Sequence, residues 1–205
     1  IARFGVGHNN IDKLQARQHG IIVTNTPGTL DISVAEHTIW LMGSLARYIS
    51  RHDSQFRAGQ FTGHTGIELR GKTLGILGFG NIGKRVAAMA RFGFGMRVIA
   101  AGSRPLFATP KSRTELLTEF GLDSYSCDAE QIFRQSDVLS VHLPAKAETR
   151  HFINAPRLAW LKPGAMLINA ARGEIVDEEA LYDALSAGQL AGAALDVFEK
   201  EPYQP

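Results

Sequence analysis

The sequence holds a single cysteine, Cys127, in 205 residues, so no disulfide can form within it. That fits a reducing compartment and leaves Cys127 as a small apolar filler or a quiet surface thiol. No apolar run is long enough to span a bilayer, and no signal-peptide pattern follows Ile1, so a cytoplasmic protein without a membrane partner is expected. Charge of one sign is also lacking. Lys and Arg number 22 against 20 Asp and Glu, for a net charge of +2, and the two signs are interleaved. Nucleic-acid binding is therefore not expected. His8, His37, His52, His64 and His151 are scattered without metal-ligand spacing; no metal is expected, and surface or helix-face positions are their default reading. There is no internal repeat and no low-complexity linker. The chain opens without a methionine, inside what reads as a strand-to-loop passage, which suggests a fragment.

What is present is an ordinary globular composition, 44% hydrophobic and 20% charged, around one strongly patterned stretch. Thr73 to Leu77 is an apolar run that leads into Gly78-Phe79-Gly80-Asn81-Ile82-Gly83 and then into a helix-like segment. This strand-turn-helix setting suits a dinucleotide pyrophosphate. Gly78 permits the tight turn, Gly80 lets the backbone approach the phosphates, and Gly83 allows close packing of helix on strand. The free N–H groups and positive dipole end of the helix then face the anion. Two other readings stay open. The glycines can mark only a structural turn. Gly78, Gly83 and Lys84 also fit a triphosphate loop, although Arg85 stands where a magnesium-binding Ser or Thr is needed.

Beyond this stretch, apolar runs alternate with helical periodicity. Strands are expected at 96–101, 137–143, 165–169 and 193–198, and helices at 111–120, 128–135 and 177–186, the last two capped by Asp128 and Asp177. Such alternation implies an α/β fold with a doubly wound, mostly parallel sheet covered on both faces. Before Gly71, residues 21–25 read as a short strand. A long helix starts at Asp31 or Ser33 and runs to about Arg57, with an apolar stripe through Ala35, Ile39, Met42, Leu45, Ala46 and Ile49. Residues 1–30 are read as the remnant of another domain, and 31–205 as the dinucleotide-binding domain with its connecting helix.

The second strand of such a sheet ends near the adenosine ribose, where an acidic residue favours NAD. Here the chain reads Gly102-Ser103-Arg104. The missing acid, with a hydroxyl and a guanidinium in its place, favours NADP over NAD, with NAD still open. At the carboxyl ends of the later strands stand Asn169-Ala170-Ala171-Arg172-Gly173, Asp196 within the last strand, and Glu199 and Glu201 after it. His142 ends the strand before Pro144 and reads as structural or cofactor-side rather than as an acid.

Asn169 to Glu178, Gly192 to Phe198, Glu201-Pro202, Asn25 to Gly28, Val34 to Thr38 and Gly5 to Asp12 together resemble the D-isomer-specific 2-hydroxyacid dehydrogenases, over the whole chain. The resemblance implies a remnant of a flavodoxin-like second domain and hydride transfer between NAD(P)H and a 2-keto or D-2-hydroxy acid. Glyoxylate or hydroxypyruvate reduction is the first choice and phosphoglycerate oxidation the second. It implies Arg172 and Glu201 as catalytic residues, Arg172 gripping the substrate carboxylate and Glu201 raising the pKa of a histidine. Val6 and Gly7 would bind the substrate carboxylate by backbone. Besides Gly78, Gly80 and Gly83 of the glycine turn and Ser103 and Arg104, which depart from the family pattern, Asn81, Ile82, Leu143, Ala170, Ala171 and Asp196 would contact the cofactor, Asp196 at the nicotinamide carboxamide. The family's proton-donating histidine lies beyond its Glu-Pro pair. Nothing in 1–205 matches it, so it is expected beyond Pro205 and the 205 residues alone should be incomplete for catalysis. A homodimer is implied too. Two other classes remain: a dinucleotide-sensing corepressor of the same family, and a ligand-gated regulatory domain, in which Arg172 and Glu201 would be unexplained.

Overall fold

A computed structural model describes residues 1–8, 10–103 and 113–203. Its centre is a six-stranded, all-parallel sheet built from β1 (Thr73–Leu77), β2 (Arg97–Ala101), β3 (Ser124–Ser126), β4 (Val138–Val141), β5 (Ala165–Asn169) and β6 (Leu190–Leu195). The strand order is β3-β2-β1-β4-β5-β6. The order reverses between β1 and β4, so a crevice opens beyond their carboxyl ends.

The strands are apolar almost throughout because both faces are covered. On one face Leu74, Ile76, Val98, Ala100, Met166 and Ile168 meet α2 (Asp31–Ala46) and α4 (Asn81–Ala88) through Ala35, Ile39, Met42, Val86 and Ala87. On the other, Leu77, Ile99, Leu139, Val141 and Leu167 meet α6 (Ala129–Gln135), α7 (Ala155–Leu158) and α8 (Glu178–Ser186) through Ile132, Phe133, Leu158 and Leu181. The alternation of faces along each strand follows its two-residue period. Asp128 and Asp177 cap α6 and α8, accepting from Glu130 N–H and Ala180 N–H. The described residues also form α1 (Lys13–Gln18), α3 (Ile49–Arg57) and α5 (Arg113–Phe120).

Several expectations are corrected. The long helix to Arg57 is two helices. Ala46 C=O accepts from Ile67 N–H at 2.9 Å rather than continuing the ladder, and Tyr48 turns left-handed at φ 54° before α3 begins. Residues 21–25 form no strand; Thr24 makes only a parallel bridge with Ala2. The last strand is 190–195, so Asp196 stands just past it rather than within it. Its N–H still donates to Asn169 C=O at 3.0 Å, which fixes the exit. β3, α1 and α7 were not expected. The N-terminal part of the helix expected at 111–120, and Arg104, lie outside the described residues.

Candidate active site

The crevice between β1 and β4 is shaped by close backbone approach. Gly78 has φ 96°, and a Cβ there would lie 2.5 Å from His142 O. A Cβ on Gly83 would strike Gly78 O, so α4 seats directly on the turn. Gly80 faces open space and is the N-cap of α4, with no side chain capping the helix. The first turn of α4 therefore presents backbone N–H groups and the positive end of its dipole to the crevice. These features fit a dinucleotide pyrophosphate: a bare glycine surface, an uncapped helix start and a sheet switch point coincide. The triphosphate-loop alternative fares worse. Lys84 Nζ lies over the Phe120 ring, 5.3 Å from its centroid. Ile82 and Leu143 are half-buried at the crevice, and Asn81 is exposed.

At the ribose end, β2 stops at Ala101 and Gly102 lies against the Tyr125 hydroxyl, where any Cβ would collide. Ser103 is exposed. His142 lies directly against Gly78, and its backbone N–H donates to Leu77 O at 2.7 Å. Its Nε2 is 2.8 Å from Ser140 Oγ, and burial pushes its pKa down to about 4. A neutral imidazole held this way is no proton donor at neutral pH, in keeping with a cofactor-side place.

Arg172 follows β5 in a loop that Asn169 folds. Asn169 is 1% exposed; its Nδ2 donates to Arg172 O at 2.9 Å and its Oδ1 accepts from Ala171 N–H at 3.0 Å. Arg172 Nη1 turns back to Ala171 O at 2.6 Å. Its Nη2 lies so close to Gly7 that a Cβ on Gly7 would overlap it. Ala170 and Ala171 are half-buried beside it. Among the described residues no carboxylate pairs with Arg172. A half-buried guanidinium with its charge uncompensated suits an anionic ligand.

The Gly5–Gly7 loop is held by residues whose roles the sequence did not announce. Asn25 Nδ2 donates to Val6 O at 3.0 Å, Gly5 N–H to Thr26 Oγ1 at 3.0 Å, and Arg3 Nε to Gly7 O at 3.0 Å. The signal was there in Asn25 and Thr26, polar side chains running into Pro27-Gly28 opposite the Gly5-Val6-Gly7 turn.

After β6 the chain crosses Gly173, which has no room for a Cβ beneath Phe198. Glu199 accepts from Arg150 Nη2 at 2.7 Å and lies 3.1 Å from His151 Nε2, so it is committed to a local network. Glu201 is exposed, and among the described residues its Oε1 accepts the Phe198 N–H at 3.0 Å and nothing else. The structure thus separates the two acids: Glu199 ties the segment after β6 to Arg150 and His151, and Glu201 is exposed. His37, on α2, lies 3.2 Å from Asp196 through Nε2 and Oδ1. It keeps the exposure expected of it, but it is not idle.

The family model for the D-isomer specific 2-hydroxyacid dehydrogenase NAD binding domain matches residues 39–205. The chain belongs to the D-isomer specific 2-hydroxyacid dehydrogenases. Within this family it is 43% identical over 204 residues to hydroxypyruvate reductase of Thermotoga maritima, covering 98% of this chain and 62% of the relative. It is 44% identical over 214 residues to glyoxylate reductase of Aeropyrum pernix, covering 100% of this chain and 61% of the relative. Among solved structures it superposes with a TM-score of 0.80 and 34% identity on D-lactate dehydrogenase from Aquifex aeolicus complexed with NAD and lactic acid, covering 98% of this chain and 58% of that one. The chain therefore spans about three-fifths of the length of these dehydrogenases.

Proposed function

We propose that the protein carrying this chain reduces a small 2-keto acid, glyoxylate or hydroxypyruvate in the first instance, to the D-2-hydroxy acid. The observation that carries this reading is the half-buried Arg172 guanidinium set against the Gly7 backbone, at the carboxyl edge of the sheet beyond the glycine turn. The names of the relatives support the substrate choice. Residues 31–205 form the dinucleotide domain in this reading, and residues 1–30 belong to a substrate domain.

Bound NAD(P)H supplies the hydride. Gly78, Gly80, Asn81, Ile82 and Gly83 accommodate the pyrophosphate, Leu143, Ala170 and Ala171 line the cofactor's path, and Asp196 accepts from the carboxamide. Val6 and Gly7 offer backbone N–H groups to the substrate carboxylate, while Arg172 pairs with it and stabilises charge developing on the carbonyl oxygen. Glu201 orients and charges the imidazole that protonates that oxygen. NADPH is preferred over NADH, on the strength of Ser103 and Arg104 where an acid is absent.

The protein works in the cytoplasm as a homodimer. Trp40, Ile49, Phe56 and Phe61, exposed at 73%, 55%, 72% and 95%, support self-association through α2, α3 and the stretch that follows. Sedimentation velocity reads this directly; a monomer at micromolar concentration would remove that part of the proposal. The central test is to titrate NADPH and NADH, then assay the whole protein that carries this sequence against a panel of 2-keto acids. The expected result is turnover lost in Arg172→Ala with nucleotide binding retained. Nucleotide binding without turnover of any keto acid would leave a binding module, and tighter binding of NADH would reverse the cofactor preference.

A further inference from the structure

We propose that His37 is a positioning residue for the nicotinamide end of the site, pinning the Asp196 carboxylate from behind so that its second oxygen stays turned toward the carboxamide. The inference rests on the reading of Asp196 as the carboxamide contact.

Asp196 stands where β6 has ended. Its backbone is tied to β5 by the bond to Asn169 C=O, but that bond leaves the side chain free to rotate. An aspartate at a strand exit, 50% exposed, has two rotatable torsions and open water to turn toward. The His37 Nε2 at 3.2 Å from Oδ1 is its side-chain partner among the described residues. A proton on Nε2 makes His37 a donor whether the ring is neutral or charged.

The position of His37 is itself well determined. Its neighbours on α2, Ala35, Thr38 and Ile39, are buried against the sheet. Farther along the same helix Leu45 lies so close to β6 that a Cβ on Gly192 would come within 2.7 Å of its Cδ1. The helix that carries His37 is thus fastened to the strand that delivers Asp196. With Oδ1 engaged, Oδ2 is left to accept from an amide NH2. A pair this exposed adds little to folding stability. What it restricts is the direction of one carboxylate, which is the kind of support a binding group at a strand exit needs.

The test compares ligands that do or do not reach this end of the site. ADP-ribose has the pyrophosphate and ribose parts but no nicotinamide. The reduced acetylpyridine analogue of NADH carries a methyl ketone in place of the carboxamide, so it lacks the NH2 that Asp196 would accept. Dissociation constants for NADH, ADP-ribose and the analogue are measured by calorimetry on the chain and on His37→Ala, His37→Gln and Asp196→Ala, with thermal melts to confirm folding. In His37→Ala the NADH constant should rise about three- to tenfold, the loss of roughly one hydrogen bond, while ADP-ribose stays within about twofold. The preference for NADH over the analogue should shrink with it. His37→Gln keeps a donor and should recover most of the loss. An unchanged ratio of NADH to ADP-ribose affinity in His37→Ala, alongside a changed ratio in Asp196→Ala, overturns the role of His37 alone. An equal loss for both ligands makes His37 merely structural and also overturns it. If Asp196→Ala itself leaves the ratio unchanged, or ADP-ribose does not bind, the reading of the site falls and takes this inference with it.

Discussion

Replacing Asn169 by alanine tests whether the Arg172 loop is held as described. Asn169 is 1% exposed, and its amide makes two bonds inside the loop it precedes, one to Arg172 O and one from Ala171 N–H. Each bond is worth about 1 kcal/mol net, and truncation also leaves the partly buried Ala171 N–H without this acceptor, at about 1 kcal/mol or more, while Arg172 O keeps the Ile175 N–H. The expected destabilisation is about 2–4 kcal/mol, or a fall in Tm of roughly 5–12 °C for a chain of this size. The damage should be local to the keto-acid end. Arg172 is the N-cap of the short turn Gly173–Ile175 and its carbonyl keeps the Ile175 N–H at 3.3 Å, but without the Asn169 amide the residues before it are no longer fixed and the guanidinium is less firmly held against Gly7. Urea unfolding gives the stability. Fluorescence of bound NADPH, titrated afterwards with glyoxylate, separates nucleotide affinity from keto-acid affinity. Asn169→Asp provides the comparison: it keeps an acceptor for Ala171 N–H, loses the donor to Arg172 O and buries a charge, so it should cost at least as much. A loss below about 1 kcal/mol in both variants, or glyoxylate affinity untouched by either, would show that Asn169 does not hold the loop.

Other outcomes follow from the same geometry. Gly7→Ala puts a methyl on the Arg172 guanidinium, the movable end of a side chain; folding stability should change by less than about 1 kcal/mol while keto-acid affinity drops at least about tenfold, read in the glyoxylate titration. Gly83→Ala instead meets Gly78 O, which is backbone; it should cost about 1–3 kcal/mol and weaken NADPH and ADP-ribose alike, so calorimetry showing normal nucleotide binding would refute the close-approach argument. The depressed pKa of His142, about 4 through burial, means that the unfolded chain binds the extra proton between about 6.5 and 4. Stability should therefore fall as pH drops through that window, and His142→Gln should flatten the fall. Asp137 acts at lower pH. Burial works to raise its pKa, but the Thr73 N–H at 2.7 Å and Lys162 Nζ at 2.9 Å outweigh it and hold it below the ordinary 3.8. Its contribution is complete above that value and lost as pH falls below it, so Asp137→Asn should remove the acid-side part of a urea-stability profile recorded from pH 6 to pH 2.5.

What the sequence disclosed depended on whether a feature was local. β1, β4 and β5 show because buried parallel strands must be apolar along their whole length, and α6 and α8 because their aspartate caps stand next to them. β3 escaped notice because Ser124-Tyr125-Ser126 has no apolar run; it is a strand only because β2 offers it an edge. The break at Tyr48 was hidden because the apolar stripe continues through Ile49, whereas the break is made by Ile67 reaching back to Ala46. Arg172, Gly7 and Glu201 were legible through resemblance to a family, not through spacing. His37 was not legible at all, since only the packing of α2 beside β6 brings it to Asp196. The same limit applied to Glu199 and Glu201. Nothing in Glu199-Lys200-Glu201 says that Arg150 and His151 will claim the first and leave the second.

The reversal of strand order has a consequence for how the molecule comes into being. β1 is complete at Leu77, but the neighbour on its other side, β4, begins only at Val138. During synthesis the glycine turn emerges long before the strand whose end lies against it. The cleft is thus assembled in one late event, when the edge of β1 is closed by a partner distant in sequence. Pairings of this range slow folding through the entropy of closing the intervening loop. A nascent chain halted before Val138 exposes an unpaired apolar strand edge, the kind of surface that chaperones hold and that aggregates recruit.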